Sequence, residues 1–158
     1  WMSNNYISGL ATVIITTYQR ADYIIRTVES VFKQTYRPID LIVVDDGSTD
    51  GTLEILKKWS ASTENSSDFN LILVYQENSG APVARNKALN LANGEFIQEV
   101  GSDDILHKRK LETHIKCLNE SPQCQSAWSP LQRFKNIEED TLSCDTIDIE
   151  ILISKAYI

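Results

Sequence analysis

Short apolar runs alternate with segments of helical periodicity along most of the chain. Four of the runs are rich in β-branched side chains and too short for a typical helix, so they predict strands. They lie at residues 10–17, 39–44, 71–76 and 95–100. Four further segments repeat apolar side chains at helical spacing and predict helices. They lie at residues 23–33, 52–59, 82–92 and 108–118.

The order of these elements predicts the fold class. Four strand–helix units in succession indicate an α/β domain whose mostly parallel sheet is flanked by helices and joined by right-handed crossovers. In the first helix Ile24, Val28 and Val31 lie on one stripe, which we expect to be buried. Asp22 directly precedes this segment and is the expected N-cap.

Composition narrows the class of partner. The chain has 158 residues and a formal net charge of −7, which argues against nucleic acid or an anionic membrane as its main partner. No apolar stretch approaches the roughly 20 residues that span a bilayer, and no signal peptide is visible. The three cysteines are a sparse, odd set that fits a reducing compartment. We therefore expect a cytoplasmic protein, or one bound peripherally at the inner face of a membrane.

Acidic side chains follow two of the predicted strands. Asp45 and Asp46 come directly after one apolar run, and Asp103 and Asp104 follow another. In an open α/β sheet the ligand crevice lies beyond the carboxyl ends of the strands, so both pairs are expected at one site. Adjacent carboxylates repel each other and favour a bound cation. Their hard oxygen atoms suit Mg²⁺ or Mn²⁺, whose usual partner is a phosphate.

Three neighbouring positions have different interpretations. Asp46 stands at the end of a strand, where its carboxylate can accept from a base N–H or a ribose hydroxyl. Ser48 and Asp50 are better explained as parts of a turn that caps the next helix. Arg85 falls in the first turn of a predicted helix, against the helix dipole, which favours a bound anion or base. A surface ion pair is the alternative for Arg85.

The histidines and cysteines offer a second, weaker metal hypothesis. Their spacings fit none of the short-knuckle patterns of structural zinc sites, so zinc is disfavoured. The residues concerned are His107, His114, Cys117 and Cys124.

Five segments of the chain carry a family resemblance. They are 14–20 (IITTYQR), 43–52 (VVDDGSTDGT), 78–80 (NSG), 84–86 (ARN) and 92–97 (ANGEFI). Together they resemble the family 2 glycosyltransferases, which are inverting enzymes of the GT-A fold. The likeness covers about residues 10–118.

The resemblance implies a role for each matching residue. Thr16, Tyr18, Asp46 and Arg85 would hold the base and ribose of a nucleotide-sugar, for which we expect a UDP-sugar. Asp103 and Asp104 would form the metal motif for Mn²⁺ or Mg²⁺, with Asp104 the more direct ligand and Asp103 also near the nucleotide. The chain departs from the family pattern twice: Thr16 replaces a common proline, and Gly101 replaces the first aspartate of the metal motif.

The catalytic base is not identified by this resemblance. In the family it is an aspartate of a Glu-Asp-like motif, well after the metal site. Here Asp140 follows Glu139 but arrives too early in the chain for that motif. We expect the acceptor to be a carbohydrate or a lipid-linked molecule, in polysaccharide or glycoconjugate synthesis.

The C-terminal quarter of the sequence is expected to be only the beginning of the acceptor-side region. A candidate strand lies at 124–134, and an alternating apolar segment at 147–153 suggests one last strand that could pair with a second copy. We expect residues 1–158 to form one domain, with the nucleotide-binding portion at about 10–118. Residues 119–158 would then begin the acceptor side, leaving the sheet truncated there and transfer by this chain alone weak or absent.

Three alternative functions follow from the same residues. A non-catalytic sugar-nucleotide-binding or scaffold module would keep the fold but lack metal competence, which Gly101 makes conceivable; metal-dependent nucleotide binding separates the two. A receiver-type signalling domain would carry its acidic pair after the first strand, where Thr16 and Thr17 stand instead. A nucleotidyltransferase would carry a Gly-rich basic loop near the N-terminus, and the sequence has none.

Overall fold

The structure, a computed structural model, describes residues 6–63, 66–129 and 152–155, the last four as backbone only. Strands and helices alternate through most of it, as the sequence pattern predicts. In chain order the elements are β1 (Ile7–Thr17), α1 (Ile24–Phe32), β2 (Ile39–Asp45), α2 (Thr52–Ser62), β3 (Phe69–Tyr75), α3 (Ala81–Leu91), β4 (Gly94–Gly101), α4 (Lys110–Glu120), β5 (Cys124–Trp128) and β6 (Leu152–Lys155).

The main sheet is parallel and has the order β3-β2-β1-β4. The chain therefore builds outward from β1 to β3 and then returns to the other side of β1. Such a reversal of strand order opens a crevice at the carboxyl ends of the central strands. In register, Thr17 lies beside Asp45 of β2, and Thr16 lies beside Gly101 of β4. The strand ends that carry the predicted site residues are thus direct neighbours.

The core lies on both faces of the two central strands. On one face Val13, Ile15 and Val43 are fully buried against the α1 side. On the other face Ile14 and Ile42 pack with alanines of α3. Strands buried on both faces are apolar along their whole length, which is why β1 and β2 read as continuous apolar runs. This packing holds the strand ends rigidly beneath the crevice.

Several element boundaries differ from the expectation. β1 begins at Ile7, three residues early, and α2 continues to Ser62 into the polar stretch that follows it. The prediction of Asp22 as the N-cap of α1 is wrong: the N-cap is Tyr23, and no side chain caps it. The carbonyl of Arg20 instead accepts the N–H groups of Tyr23 and Ile24, so the loop backbone starts the helix.

The C-terminal strands form a separate small sheet. β5 pairs with β6 in antiparallel register, Trp128 lying beside Leu152. The strand predicted at 124–134 is therefore confirmed for its first five residues, while 130–134 lies outside the described residues. Most of the segment predicted as a last strand, 147–153, also lies outside the described residues. Its final two residues belong to β6, which pairs with β5 of the same chain. None of the helices in the described ranges is long and apolar enough to cross a membrane.

Candidate functional site

Three loops meet at the carboxyl end of the sheet and enclose a cavity. Its volume is about 290 Å³. Thr16, Tyr18 and Asp46, which the sequence places in different segments, all line it. The start of α3 closes the remaining side. The other lining residues are Thr17, Asn78, Gly80, Ala81 and Ala84.

Asp46 joins two of these loops through its side chain. It is 4% exposed, and its Oδ1 accepts from Gln76 Nε2 at 2.7 Å and from the Ser79 N–H at 2.8 Å. Its Oδ2 accepts from the Gly80 N–H at 2.9 Å. A carboxylate oxygen can accept two bonds, so Oδ2 can also accept from a ligand. The Asp46 side chain can therefore hold the loop before α3 and also accept a hydrogen bond from a ligand in the cavity.

The charge of Asp46 is maintained by these bonds. Burial by itself raises the pKa of this carboxyl, but the bonds from the Ser79 N–H, the Gln76 amide and the Gly80 N–H together outweigh it and leave the pKa below its ordinary value. Asp46 is consequently an anion at neutral pH, aimed at a cavity where it can accept hydrogen bonds.

Gly47 lets the two loops approach each other closely. Its φ is +82°, in the left-handed region. A Cβ at this position would lie 2.7 Å from the backbone nitrogen of Asn78, closer than such atoms approach in proteins. Glycine is therefore required here both by conformation and by space.

The turn after β2 holds the loop after β1. Ser48 Oγ accepts from the Gln19 N–H at 3.0 Å, and Asp50 Oδ2 accepts from the Ala21 N–H at 3.1 Å. Asp50 Oδ1 also accepts from the N–H of Thr52 at the start of α2. The N-cap of α2 is Gly51, without a side-chain cap. Asp50 still contacts the first N–H of α2, whereas Ser48 Oγ contacts the neighbouring loop and not the helix, so the expected helix-capping role does not extend to Ser48.

Asp103 and Asp104 converge above Gly101 at the end of β4. A Cβ on Gly101 would lie 2.7 Å from Asp104 Oδ2 and 3.4 Å from Asp103 Oδ1. The Asp104 N–H donates to the Gly101 carbonyl at 3.1 Å and closes this turn. The absence of a side chain at position 101 provides the space in which the Asp104 carboxylate lies. The departure from the family motif is thus compatible with a paired-carboxylate site.

The donor set suits a magnesium or manganese ion. Two carboxylates supply hard oxygen ligands, and such ions take their remaining ligands from water and phosphate. Within the described ranges no three histidine, cysteine or acidic side chains are grouped to hold a metal. Asp103 and Asp104 are the residues that would hold Mg²⁺ or Mn²⁺.

Two basic side chains face the carboxylate pair. Arg20 Nε lies 3.5 Å from Asp103 Oδ2. Lys110 faces Asp104: burial lowers the pKa of this ammonium, while the negative charge of Asp104 raises it, and the net pKa is below the ordinary value. Each carboxylate of the pair therefore interacts with one basic side chain, Asp103 with Arg20 and Asp104 with Lys110.

Arg85 forms an ion pair at the edge of the site. Its Nε lies 2.5 Å from Glu99 Oε1 of β4, and both side chains are nearly half exposed. Arg85 does not line the cavity, although the adjacent Ala84 does. The alternative that the sequence left open for Arg85, a surface ion pair, is the contact it makes here, and its role toward a nucleotide stays a prediction.

Comparison with known proteins decides the family. The model of "Glycosyl transferase family 2" matches residues 12–142, most of the chain. The chain belongs to glycosyl transferase family 2. The resemblance inferred from the motifs is therefore confirmed.

Relatives of this family 2 chain are considerably longer than the chain itself. TuaG of Bacillus subtilis (strain 168), whose name refers to a glycosyltransferase of teichuronic acid biosynthesis, is 43% identical over 112 residues, which are 70% of this chain and 42% of TuaG. The glycosyltransferase GlyG of Streptococcus pneumoniae serotype 4 is 38% identical over 108 residues, 68% of this chain and 34% of GlyG. The chain thus spans less than half the length of these relatives.

Solved structures confirm the GT-A fold of this family 2 chain. S. aureus TarS, residues 1–349 in complex with UDP-GlcNAc, has a TM-score of 0.62 and 36% identity, covering 70% of this chain and 31% of that one. The mannosyltransferase PcManGT of Pyrobaculum calidifontis, in complex with GDP-Man and Mn²⁺, has a TM-score of 0.68 and 31% identity. The matched region covers 78% of this chain and 35% of the PcManGT chain.

Sequence reasoning missed several residues of this family 2 site. Gln76 stands one residue beyond β3 and could have been found by the rule that selected Asp46, because it too follows a carboxyl strand end. Arg20 lies in segment 14–20, which carries the family resemblance, but the resemblance assigned it no role, and Glu99 had no signal at all. Their partners Asp103 and Arg85 are 83 and 14 positions away, and no local pattern indicates which charges will meet. Asp140, the base candidate, lies outside the described residues.

Proposed function

We propose that this chain binds a nucleotide diphosphate sugar together with Mn²⁺ or Mg²⁺ and serves as the donor side of an inverting glycosyltransferase. One observation carries the proposal: Thr16, Tyr18 and Asp46 line one cavity at the same sheet edge as the Asp103–Asp104 pair. Binding of UDP-GlcNAc and GDP-Man by the two structural neighbours supports this class of ligand.

The cavity offers contacts for a nucleoside. Its volume is about 290 Å³, close to the lower end of the roughly 300–1,000 Å³ usual for ligand pockets. The Tyr18 side chain is 47% exposed and offers an aromatic surface for stacking. Asp46 would accept a hydrogen bond from the base or the ribose through Oδ2. A UDP-sugar is the proposed donor, as the motif resemblance implies and as the UDP-GlcNAc complex of TarS, 36% identical to this chain, supports.

The chemistry of transfer would be divided between the metal site and the acceptor side. The metal, when bound, neutralises charge that develops on the departing diphosphate. Asp103 and Asp104 would hold it where the strand ends meet, and Asp46 and Tyr18 would orient the nucleoside. A base must remove the acceptor hydroxyl proton. We leave that base unassigned and propose a carbohydrate or lipid-linked acceptor, in polysaccharide or glycoconjugate synthesis. We expect the 158 residues alone to transfer sugar weakly or not at all.

The first test is metal-dependent binding of UDP. In calorimetric titrations we expect UDP to bind in Mn²⁺ and not in EDTA, and Asp104→Ala to weaken Mn²⁺-dependent binding by more than about a hundredfold, since even outer partners of metal ligands contribute about 10–100-fold. Glu120→Ala, which removes an exposed carboxylate at the far end of α4, is the control and should bind as the wild type does. Equal binding with and without metal would contradict the proposal, and a failure to bind UDP, GDP or dTDP would favour the scaffold alternative.

A second test concerns Arg85. We expect Arg85→Gln to weaken UDP binding about tenfold through loss of a charge-assisted hydrogen bond. Glu99→Gln removes the competing partner of the guanidinium and should leave UDP affinity equal or higher. Because the ion pair is nearly half exposed, neither change should alter the free energy of unfolding by more than about 1 kcal/mol. Wild-type affinity in Arg85→Gln would show that the ion pair is only structural.

A further inference from the structure

Arg20 links the loop after β1 to the metal motif after β4. We propose that Arg20 is a phosphate-contacting residue of the donor site, which pairs with Asp103 and donates to the diphosphate once a divalent cation takes that carboxylate. This inference rests on the proposed function and assigns a residue for which the motif resemblance implied no role.

The contact between Arg20 and Asp103 is suited to exchange. Arg20 Nε and Asp103 Oδ2 lie 3.5 Å apart, and the two side chains are 42% and 54% exposed. An exposed pair of this kind is worth little, so a stronger anion can take the guanidinium without a large cost. A guanidinium carries five N–H donors in a planar fork that matches phosphate oxygens. Arg20 is therefore already located beside the carboxylate that the metal would occupy.

The backbone that carries Arg20 is held in an unusual conformation. The preceding residue, Gln19, has a φ of +53°, in the left-handed region that non-glycine residues rarely adopt. Its side-chain Oε1 accepts the N–H groups of Thr49 and Asp50, and its own N–H donates to Ser48 Oγ. Strain of this kind persists only where the surroundings enforce it, and it concentrates at functional positions.

A buried hydroxyl fixes Arg20 itself. The Arg20 N–H donates to Thr52 Oγ1 at 3.0 Å, and Thr52 is fully buried. The carbonyl of Arg20 accepts the first N–H groups of α1. The backbone of Arg20 is thus fixed from both sides, while its side chain remains partly exposed. This arrangement directs a cation toward the metal motif, and a loop that only connected β1 to α1 would not need it.

The charges at the site require a further cation. A divalent ion would balance the two carboxylates of Asp103 and Asp104, so positive charge for a bound diphosphate must come from nearby side chains: Lys110, which faces Asp104, and Arg20, which pairs with Asp103. The chain as a whole is acidic, with a net charge of −7. Arg20 lies in direct contact with Asp103, its Nε 3.5 Å from Oδ2. Arg20 is consequently placed to balance the diphosphate.

The test separates phosphate recognition from loop stability. We compare Arg20→Gln, Arg20→Lys and a control, Arg109→Gln, which removes another arginine paired through Nε with a carboxylate, Glu112. UDP and uridine are titrated with Mn²⁺ present, using NMR for the weaker ligand. Arg20→Gln should weaken UDP binding about 10- to 100-fold and leave uridine affinity unchanged, because the lost bond is to a charged group. Arg20→Lys should recover part of the affinity, and the control should match the wild type.

The metal provides an independent readout. By paramagnetic resonance of Mn²⁺ without nucleotide, Arg20→Gln should bind the ion as tightly as the wild type or up to about fivefold more tightly, because a competing cation is removed. Two results in Arg20→Gln would overturn the role of Arg20 but not the proposed function. One is an equal loss of UDP and uridine affinity, and the other is wild-type UDP affinity. A wild-type protein that binds no UDP with Mn²⁺ would overturn the proposed function and this assignment with it.

Discussion

Asp46→Asn is expected to lower the free energy of unfolding by about 2–4 kcal/mol and to abolish measurable UDP binding. The Asp46 carboxylate accepts three hydrogen bonds, from Gln76, Ser79 and Gly80. An asparagine amide offers one acceptor oxygen and turns an N–H₂ group toward donors. At least one backbone N–H of the loop before α3 then lacks its partner, and the loop that lines the cavity shifts. Denaturant unfolding and calorimetric titration with UDP measure the two effects.

A matched variant on the same strand tests the specificity of this effect. Asp40 also lies on β2, where its carboxylate accepts one 3.3 Å bond from Asn70. Asp40→Asn should change the free energy of unfolding by no more than about 0.5 kcal/mol, as at ordinary surface positions. An Asp46→Asn protein as stable as Asp40→Asn would contradict the role of Asp46 in joining the loops.

The stability contributed by Asp46 should depend on pH. Its folded-state pKa is lowered by hydrogen bonds that outweigh the effect of burial. A carboxyl with a depressed pKa contributes stability that is fully present above its unfolded-state pKa and is lost as the pH falls through the folded-state value. The difference in unfolding free energy between wild type and Asp46→Asn should therefore be constant from neutral pH down to about pH 5 and shrink below about pH 4. A constant difference down to pH 3 would mean that the carboxylate charge is not the source of the stability.

Gly47→Ala is expected to lower the free energy of unfolding by about 2–4 kcal/mol. Part of the cost is conformational, since the left-handed region is unfavourable for alanine by roughly 1–2 kcal/mol. The remainder comes from the backbone nitrogen of Asn78, which would lie 2.7 Å from the new Cβ and cannot move without displacing Ser79 and Gly80 from Asp46. UDP affinity should fall together with stability.

Gly51→Ala is the matched control for this prediction. Gly51 also has a positive φ, +95°, but a Cβ there would meet no atom within 4 Å. It should therefore carry only the conformational cost, roughly 1–2 kcal/mol, and leave UDP affinity unchanged. Equal destabilisation by the two variants would show that the approach of Gly47 to Asn78 does not limit the site.

Sequence patterns predicted the architecture because the architecture is encoded locally. Continuous apolar runs identified β1 and β2, since both faces of these strands are buried, and helical spacing identified α1. Boundaries were predicted less well. Asp22 fits the rule for an N-cap, but the carbonyl of Arg20 starts the helix in its place. Backbone hydrogen bonds of a loop leave no trace in the identity of its side chains.

The sequence by itself determined the family, the alternation of strands and helices, and the identity of the acidic pairs that follow the strands. Tertiary structure alone decided what those side chains contact: Asp46 with the N–H groups of Ser79 and Gly80, and Arg20 with Asp103. The physical reason is that periodicity records which face of an element is buried, whereas these contacts depend on how loops more than 30 positions apart meet at one edge of the sheet.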